Sequence, residues 1–218
     1  MIARTEGAFL CDIAAGPEED TPRLVYADWL QEHAGAVGCA RADFIRAQCH
    51  LEYLRADEPL RHRLERRAAA LEAQFGRAWL GPLDHPALRW HFRRGFVAAL
   101  AHTGLFHRVA PGGSDAWLRF APDGTVLACS TTKATASEIA SWLRPDHLHA
   151  ARGRYSLCPA PGGLSIFLAV TSAVGPTHGA GTLVGTSLVL DVHAQVNNYR
   201  AREHYVWVDV PVCDSCGG

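Results

Sequence analysis

The sequence predicts an α+β protein: an amino-terminal helical module followed by an antiparallel β-barrel or sandwich with one short helix. Three observations predict it. Before residue 88, apolar residues recur at helical spacing between Gly and Pro breaks. After it, short runs alternate polar and apolar side chains between Gly-rich turns. Within that second half, only ASEIASWLRP returns to helical spacing. The implied organisation is a helical module over 1–88, a β-domain over 89–212 and a tail over 213–218.

A first short helix is expected over EGAFLCDIAAG, with Phe9, Leu10 and Ile13 on one face and Gly16 near its stop. EEDTPRLVYADWLQEHAG follows. Asp20 or Thr21 can cap it, Pro22 suits the first turn, and Gly35 can end it. The acids Glu18, Glu19 and Asp20 stand where a helix dipole favours negative charge. Asp28 and Arg23 are read as structural, five positions apart on that helix. ARADFIRAQCHLEYLRA predicts a third helix through Phe44, Gln48, Leu51 and Leu54. EPLRHRLERRAAALEAQFGRAWL predicts a fourth, with an apolar stripe from Leu60 to Trp79 and a break expected at Gly76.

DTPRLVYADWLQEHAG followed by RADFIRAQCHLEYL resembles a short bacterial repeat-companion domain. Members of that family carry D-x-P-R-L-V-Y-A-D-W-L, a Gly-containing loop and F-I-R-x-Q, often followed by W-x-x-R-G-F-V. WHFRRGFV resembles that last element, so the likeness covers about residues 6–55 with an echo at 90–97. It implies a helical fold and a modular habit, and no reaction. This chain departs from the family's usual setting, because no leucine-rich or other 20–50-residue repeat follows.

In the second half, WHFRRGFVAAL offers Trp90, Phe92 and, after a shift at Arg94-Gly95, Phe96 as inward residues. AWLRFAPDGTVLACS is a hairpin pattern around Pro-Asp-Gly. ASEIASWLRP should bury Ile139, Trp142 and Leu143. RGRYSLC and LSIFLAVTS follow as strands, separated by the turn PAPGG. GPTHGAGTLVG reads as a hairpin loop leading into a strand at GTLVG, and SLVLDVHAQV alternates with Leu188, Leu190 and Val192 inward. EHYVWVDV closes the series. The run WLRFAPDGTVLACST, a short helix and RGRYSL together resemble the β-domain of some F-box proteins and stand-alone bacterial proteins, which is lipocalin-like in outline. No F-box precedes it here.

Composition narrows the function classes. A net charge of −1 gives no global field toward nucleic acid or membranes. No run of about 18 apolar residues is present, and the first twenty residues lack an apolar signal core. Seven scattered cysteines fit reduced thiols, so a cytoplasmic location is expected. No G-x-S-x-G, P-loop or H-E-x-x-H occurs, which leans away from an enzyme.

What remains is binding. A barrel interior could hold a partner protein's segment or a small apolar molecule. Trp117, Arg119, Arg154, Tyr155, Tyr205 and Trp207 are the candidate ligand-binding residues, and no cofactor is called for. Phe120 and Phe167 could add bulk, and Arg152, Asn198, Tyr199 and Arg200 polar contacts, to the same site. The alternative is a thiol or zinc protein using Cys213 and Cys216, with Cys129, Cys158 or His204 as conceivable partners. A pair alone falls short of the four ligands of a structural zinc site. The pair His147 and His149 fits a solvated loop better than a metal site. Nucleic-acid binding through Arg61, Arg63, Arg66 and Arg67 is disfavoured, since Glu58, Glu65 and Glu72 interrupt the patch.

Overall fold

The computed structural model describes residues 5–86, 88–100, 104–109, 114–147, 150–160 and 162–210. The chain forms two compact units. One comprises residues up to Asp84 with Phe92–Ala98 and Cys158–Gly163; the other comprises His85–His91, Ala99–Leu157 and residues from Leu164 onward. The last two segments of the first unit thus come from beyond position 88.

The first unit is built on α1 (Glu6–Ala15), α2 (Thr21–His33), α3 (Gly35–Leu51) and α4 (Pro59–Leu80). Pro22 and Pro59 occupy first-turn positions, where a missing N–H costs nothing. Gly35, at φ +60°, lets α3 begin at once after α2, five residues ahead of the expected start. The helix α4 runs through Gly76 without the expected break. Its long amphipathic stripe carries it, since one interior glycine costs only about 1 kcal/mol. Phe9, Ile13, Tyr26, Leu30, Ile45 and Phe96 form one apolar cluster. Phe44, Leu71 and Trp79 anchor a second, with Phe92 packed against it.

The motif residues of this unit bond to one another. Arg23 is buried and donates to the carbonyls of Gly16, Pro17 and Glu19, tying down the turn before α2. Asp28, five positions on along α2, accepts from Arg46 on α3 at 2.7 Å. The Tyr26 hydroxyl donates to Glu6 at 2.6 Å. Gln48 accepts from Gly95 N–H at 2.7 Å and donates to the Phe92 carbonyl. Arg94 is buried, reaches Asp20 at 2.8 Å and donates to the Glu18 carbonyl. Removing one partner from so buried a pair strands the other, at about 3–5 kcal/mol.

β1 (Trp90–Arg93) and β2 (Phe96–Leu100) form a separate two-stranded sheet. Arg94 (φ +52°) and Gly95 (φ +83°) make its two-residue turn, the backbone pattern that suits a tight hairpin. The inward residues expected there serve the helical clusters instead: Phe92 and Phe96 pack with α2, α3 and α4 residues. Strand alternation past position 88 therefore lines a closed sheet only from residue 105 on.

The second unit is that closed sheet. β3 (Leu105–Arg108), β4 (Asp115–Phe120), β5 (Thr125–Thr131), β6 (Ala151–Ala160), β7 (Gly163–Ser172), β8 (Gly175–Val184), β9 (Ser187–Ala194) and β10 (Tyr199–Val208) follow one another around an eight-stranded barrel, and β10 closes onto β3. The registers Phe106↔Leu118, Leu118↔Ala128, Ile166↔Gly181, Gly181↔Leu190 and Leu190↔Glu203 place these residues on the inner face. On β7 the alternation is plain: Leu164, Ile166, Leu168 and Val170 are buried, while Phe167, Ala169 and Thr171 are exposed. GPTHGAGTLVG forms β8 rather than the expected loop. Its glycines are there for close approach: a Cβ on Gly181 would lie 1.8 Å from the Val189 carbonyl oxygen.

One helix, α5 (Ala136–Trp142), joins β5 to β6. Thr135 and Glu138 form a reciprocal capping box at its start. Ile139 and Leu143 are fully buried against Leu105, Trp117 and Leu127, with Trp142 half-buried beside them.

Candidate functional site

The barrel interior is packed at one end and hollow at the other. The packed end lies where β4 turns into β5 and β8 into β9. There Phe106 meets Phe120 at 5.6 Å and Trp207 at 5.4 Å, both edge to face. Phe120 meets Tyr155 edge to face at 4.9 Å. The Tyr155 hydroxyl donates to the Ala121 carbonyl and accepts from Leu100 N–H. Burial pushes that phenol up to about 12, so it serves as a neutral donor.

At the opposite end, where β7 turns into β8 and β9 into β10, a cavity of about 460 Å³ remains. Leu118, Ala128, Leu168, Val170, Leu190 and Val192 supply its apolar wall. Arg108, Tyr199, Glu203 and Tyr205 supply its polar end. Glu203 is only 8% exposed. Its Oε2 accepts from the Tyr205 hydroxyl at 2.6 Å and lies 3.4 Å from Arg108 Nε. Its Oε1 accepts from the Tyr199 hydroxyl at 3.4 Å. Burial first, and then the bond to Glu203, pushes the Tyr205 phenol well above its ordinary value, which keeps it a donor.

The six expected ligand-binding residues are divided by strand geometry. Tyr205 lines the cavity. Tyr155 and Trp207 share the inner face but belong to the packed end. Trp117 and Arg119 alternate with the inward Leu118 and Phe120; Arg119 goes to α5 outside the barrel, while Trp117 packs against α5 and is also among the residues lining the cavity. Trp117 stacks on His107 at 3.8 Å and joins the α5 cluster. Arg119 donates to the carbonyls of Ala140 and Leu143, satisfying the end of α5. Arg154 is exposed, donates to the Asp123 carbonyl, and borders an open outer groove with Phe167, His178 and His193. That groove is larger, about 540 Å³, but it is a surface concavity: Phe167 within it is 51% exposed.

Arg108 and Glu203 were not singled out in the sequence, yet the pattern contained a signal for one of them. In REHYVWV, period two puts Glu203 on the same face as Tyr205 and Trp207. An acid in register with two inward aromatics marks a polar group inside a barrel. Arg108 carries no such signal, because β3 is four residues long and its pairing with β10 joins the two ends of the barrel sequence.

The other candidate chemistry falls elsewhere. Cys213 and Cys216 lie outside the described residues, as does His149. Of their conceivable partners, burial pushes the Cys129 thiol up to about 11 and also raises Cys158, opposing thiolate formation. Among the described residues no three His, Cys, Asp or Glu side chains converge as a metal site. On α4, Arg61 pairs with Glu65 and donates to the Leu51 and Leu54 carbonyls, and Arg67 pairs with Asp43. Among the described residues no helix is long and apolar enough to cross a membrane.

Together these features define the second unit as an up-and-down β-barrel with a half-filled interior. Comparison with known proteins found no family model, no curated protein and no solved structure that matches the chain.

Proposed function

We propose that the barrel binds a small, largely apolar molecule in the cavity at its β9–β10 end, and that the protein acts by holding it. The hollow end is the observation that carries this reading. About 460 Å³ falls within the range of small-molecule sites, and an apolar wall with a few convergent polar groups is their usual make-up. A barrel of eight strands can fill itself with side chains, as the packed end does. The test is fluorescence titration of the full chain with the neutral probe N-phenyl-1-naphthylamine. Saturable binding is expected, and Ala128→Phe, which puts a ring into the cavity, should abolish it with an unchanged melting temperature. Equal binding by Ala128→Phe, or none by the unaltered protein, overturns the proposal.

A second reading concerns the first unit. We propose kinship with repeat-companion domains. The bonds Arg94–Asp20, Gly95–Gln48 and Arg46–Asp28 support it, since they make the shared motif a folding signature. Asp20→Ala should then lower the unfolding midpoint and leave probe affinity unchanged. A changed affinity with an unchanged midpoint would count against it.

A further inference from the structure

The polar end of the cavity has a specific imbalance. Arg108 and Glu203 are the charged side chains lining it, and their formal charges cancel. Their hydrogen-bonding capacities are not used up. Arg108 Nε is buried without a hydrogen bond, although it lies 3.4 Å from Glu203. The guanidinium also engages the Tyr205 phenol, so Nε is its buried donor without a hydrogen bond. On the carboxylate, Oε2 is well served by Tyr205 at 2.6 Å, whereas Oε1 has only the long Tyr199 contact at 3.4 Å. A weak bond of that length leaves an acceptor largely free. The site thus offers an unspent donor beside an unspent acceptor.

Resting on the binding reading above, we infer that the ligand is uncharged and presents a carbonyl oxygen next to an N–H, as a primary amide or lactam does, on an apolar body. The carbonyl meets Arg108 and the N–H meets Glu203 Oε1. Leu118, Leu168, Val170 and Leu190 receive the body. A carboxylate would satisfy Arg108 but would bring a second negative charge to Glu203 in a poorly solvated pocket. An amine would satisfy Glu203 but would set a second positive charge beside Arg108. Both arrangements leave one of the two partners unmatched, and like charges repel strongly where water is scarce. A neutral donor–acceptor head fills both vacancies and adds no charge.

Three molecules with one tail separate these cases: octanamide, octanoate and octylamine. Each is titrated against N-phenyl-1-naphthylamine bound to the full chain at neutral pH. Octanamide is expected to displace the probe at about tenfold lower concentration than the other two, the size of one well-made hydrogen bond to a charged group. Glu203→Gln leaves Arg108 as the net charge and should move the preference to octanoate. Arg108→Met leaves Glu203 and should move it to octylamine. Octanoate or octylamine matching octanamide on the unaltered protein overturns the inference, as does equal displacement by all three, while the cavity reading survives either result. Failure of the probe itself to bind removes the cavity reading and this inference with it. The ranking on the unaltered protein decides the matter even where a variant does not fold.

Discussion

Gly95→Ala is a sharp test of how the first unit is held together. Gly95 sits at φ +83°, and an added Cβ would lie 2.3 Å from Ile45 Cγ1 and 2.8 Å from Ile45 Cα on α3. Two costs add. Placing an L-residue at positive φ costs about 1–2 kcal/mol. Forcing a methyl group against a packed helix costs about 1–3 kcal/mol more. The total is about 2–5 kcal/mol. Gly35→Ala separates the two costs, because Gly35 has φ +60° and nothing within 4 Å of its added Cβ. It should lose only the backbone cost. Urea unfolding followed by helical circular dichroism reads the difference. With a slope of about 2 kcal/mol per molar urea, Gly95→Ala should unfold about 1–2.5 M earlier than the unaltered protein, and Gly35→Ala about 0.5–1 M earlier. Equal midpoints for the two variants would refute the close packing of the RRGF turn on α3.

Other expectations are briefer. Glu52 is held below its ordinary value of 4.5, first by the hydrogen bond from Arg93. In that range the unfolded chain binds more protons, so the stability from Glu52 is complete above pH 4.5 and is lost as pH falls through its folded-state value. Glu52→Gln should therefore flatten the acid limb of a melting-temperature profile, and an unchanged limb would exclude this role. Thr135→Ala removes the capping box of α5 and should cost about 1 kcal/mol, read as a lower melting temperature of the barrel. Cys11 and Cys39 are exposed, whereas Cys49 is 3% exposed and burial pushes its thiol up to about 12. Brief iodoacetamide treatment followed by peptide mass mapping should label the first two and spare Cys49; prompt labelling of Cys49 would contradict its burial.

The clearest sequence signals were those with a local cause. Proline at the first turn, Gly35 after α2 and Pro-Asp-Gly before β5 each act on a few adjacent bonds. Such signals placed α1, α2 and the β4–β5 hairpin from residues alone. Misreadings came where a distant partner decides. Gly76 looked like a break because its own preference opposes helix, but the stripe from Leu71 to Trp79 packs and overrides it. GPTHGAGTLVG looked like a loop because glycine has no strand preference, yet Gly181 fits beneath the Val189 carbonyl only because it lacks a Cβ. The candidate site was legible in part. Tyr205 was found by its size and alternation. Arg119 alternates with Leu118 and Phe120 and so turns outward, while Trp117, on that same outer face, still borders the cavity.

The sequence by itself determined the class of architecture, the helical first half and the run of alternating strands, since these depend on periodicity along the chain. It also carried the motif whose members bind one another in the first unit. Tertiary structure alone decided which end of the barrel is filled and which is empty, and that Arg108 meets Glu203. The two are 95 positions apart and touch only because β10 closes onto β3. Closure of a sheet is a property of all its strands together, and no local preference encodes it.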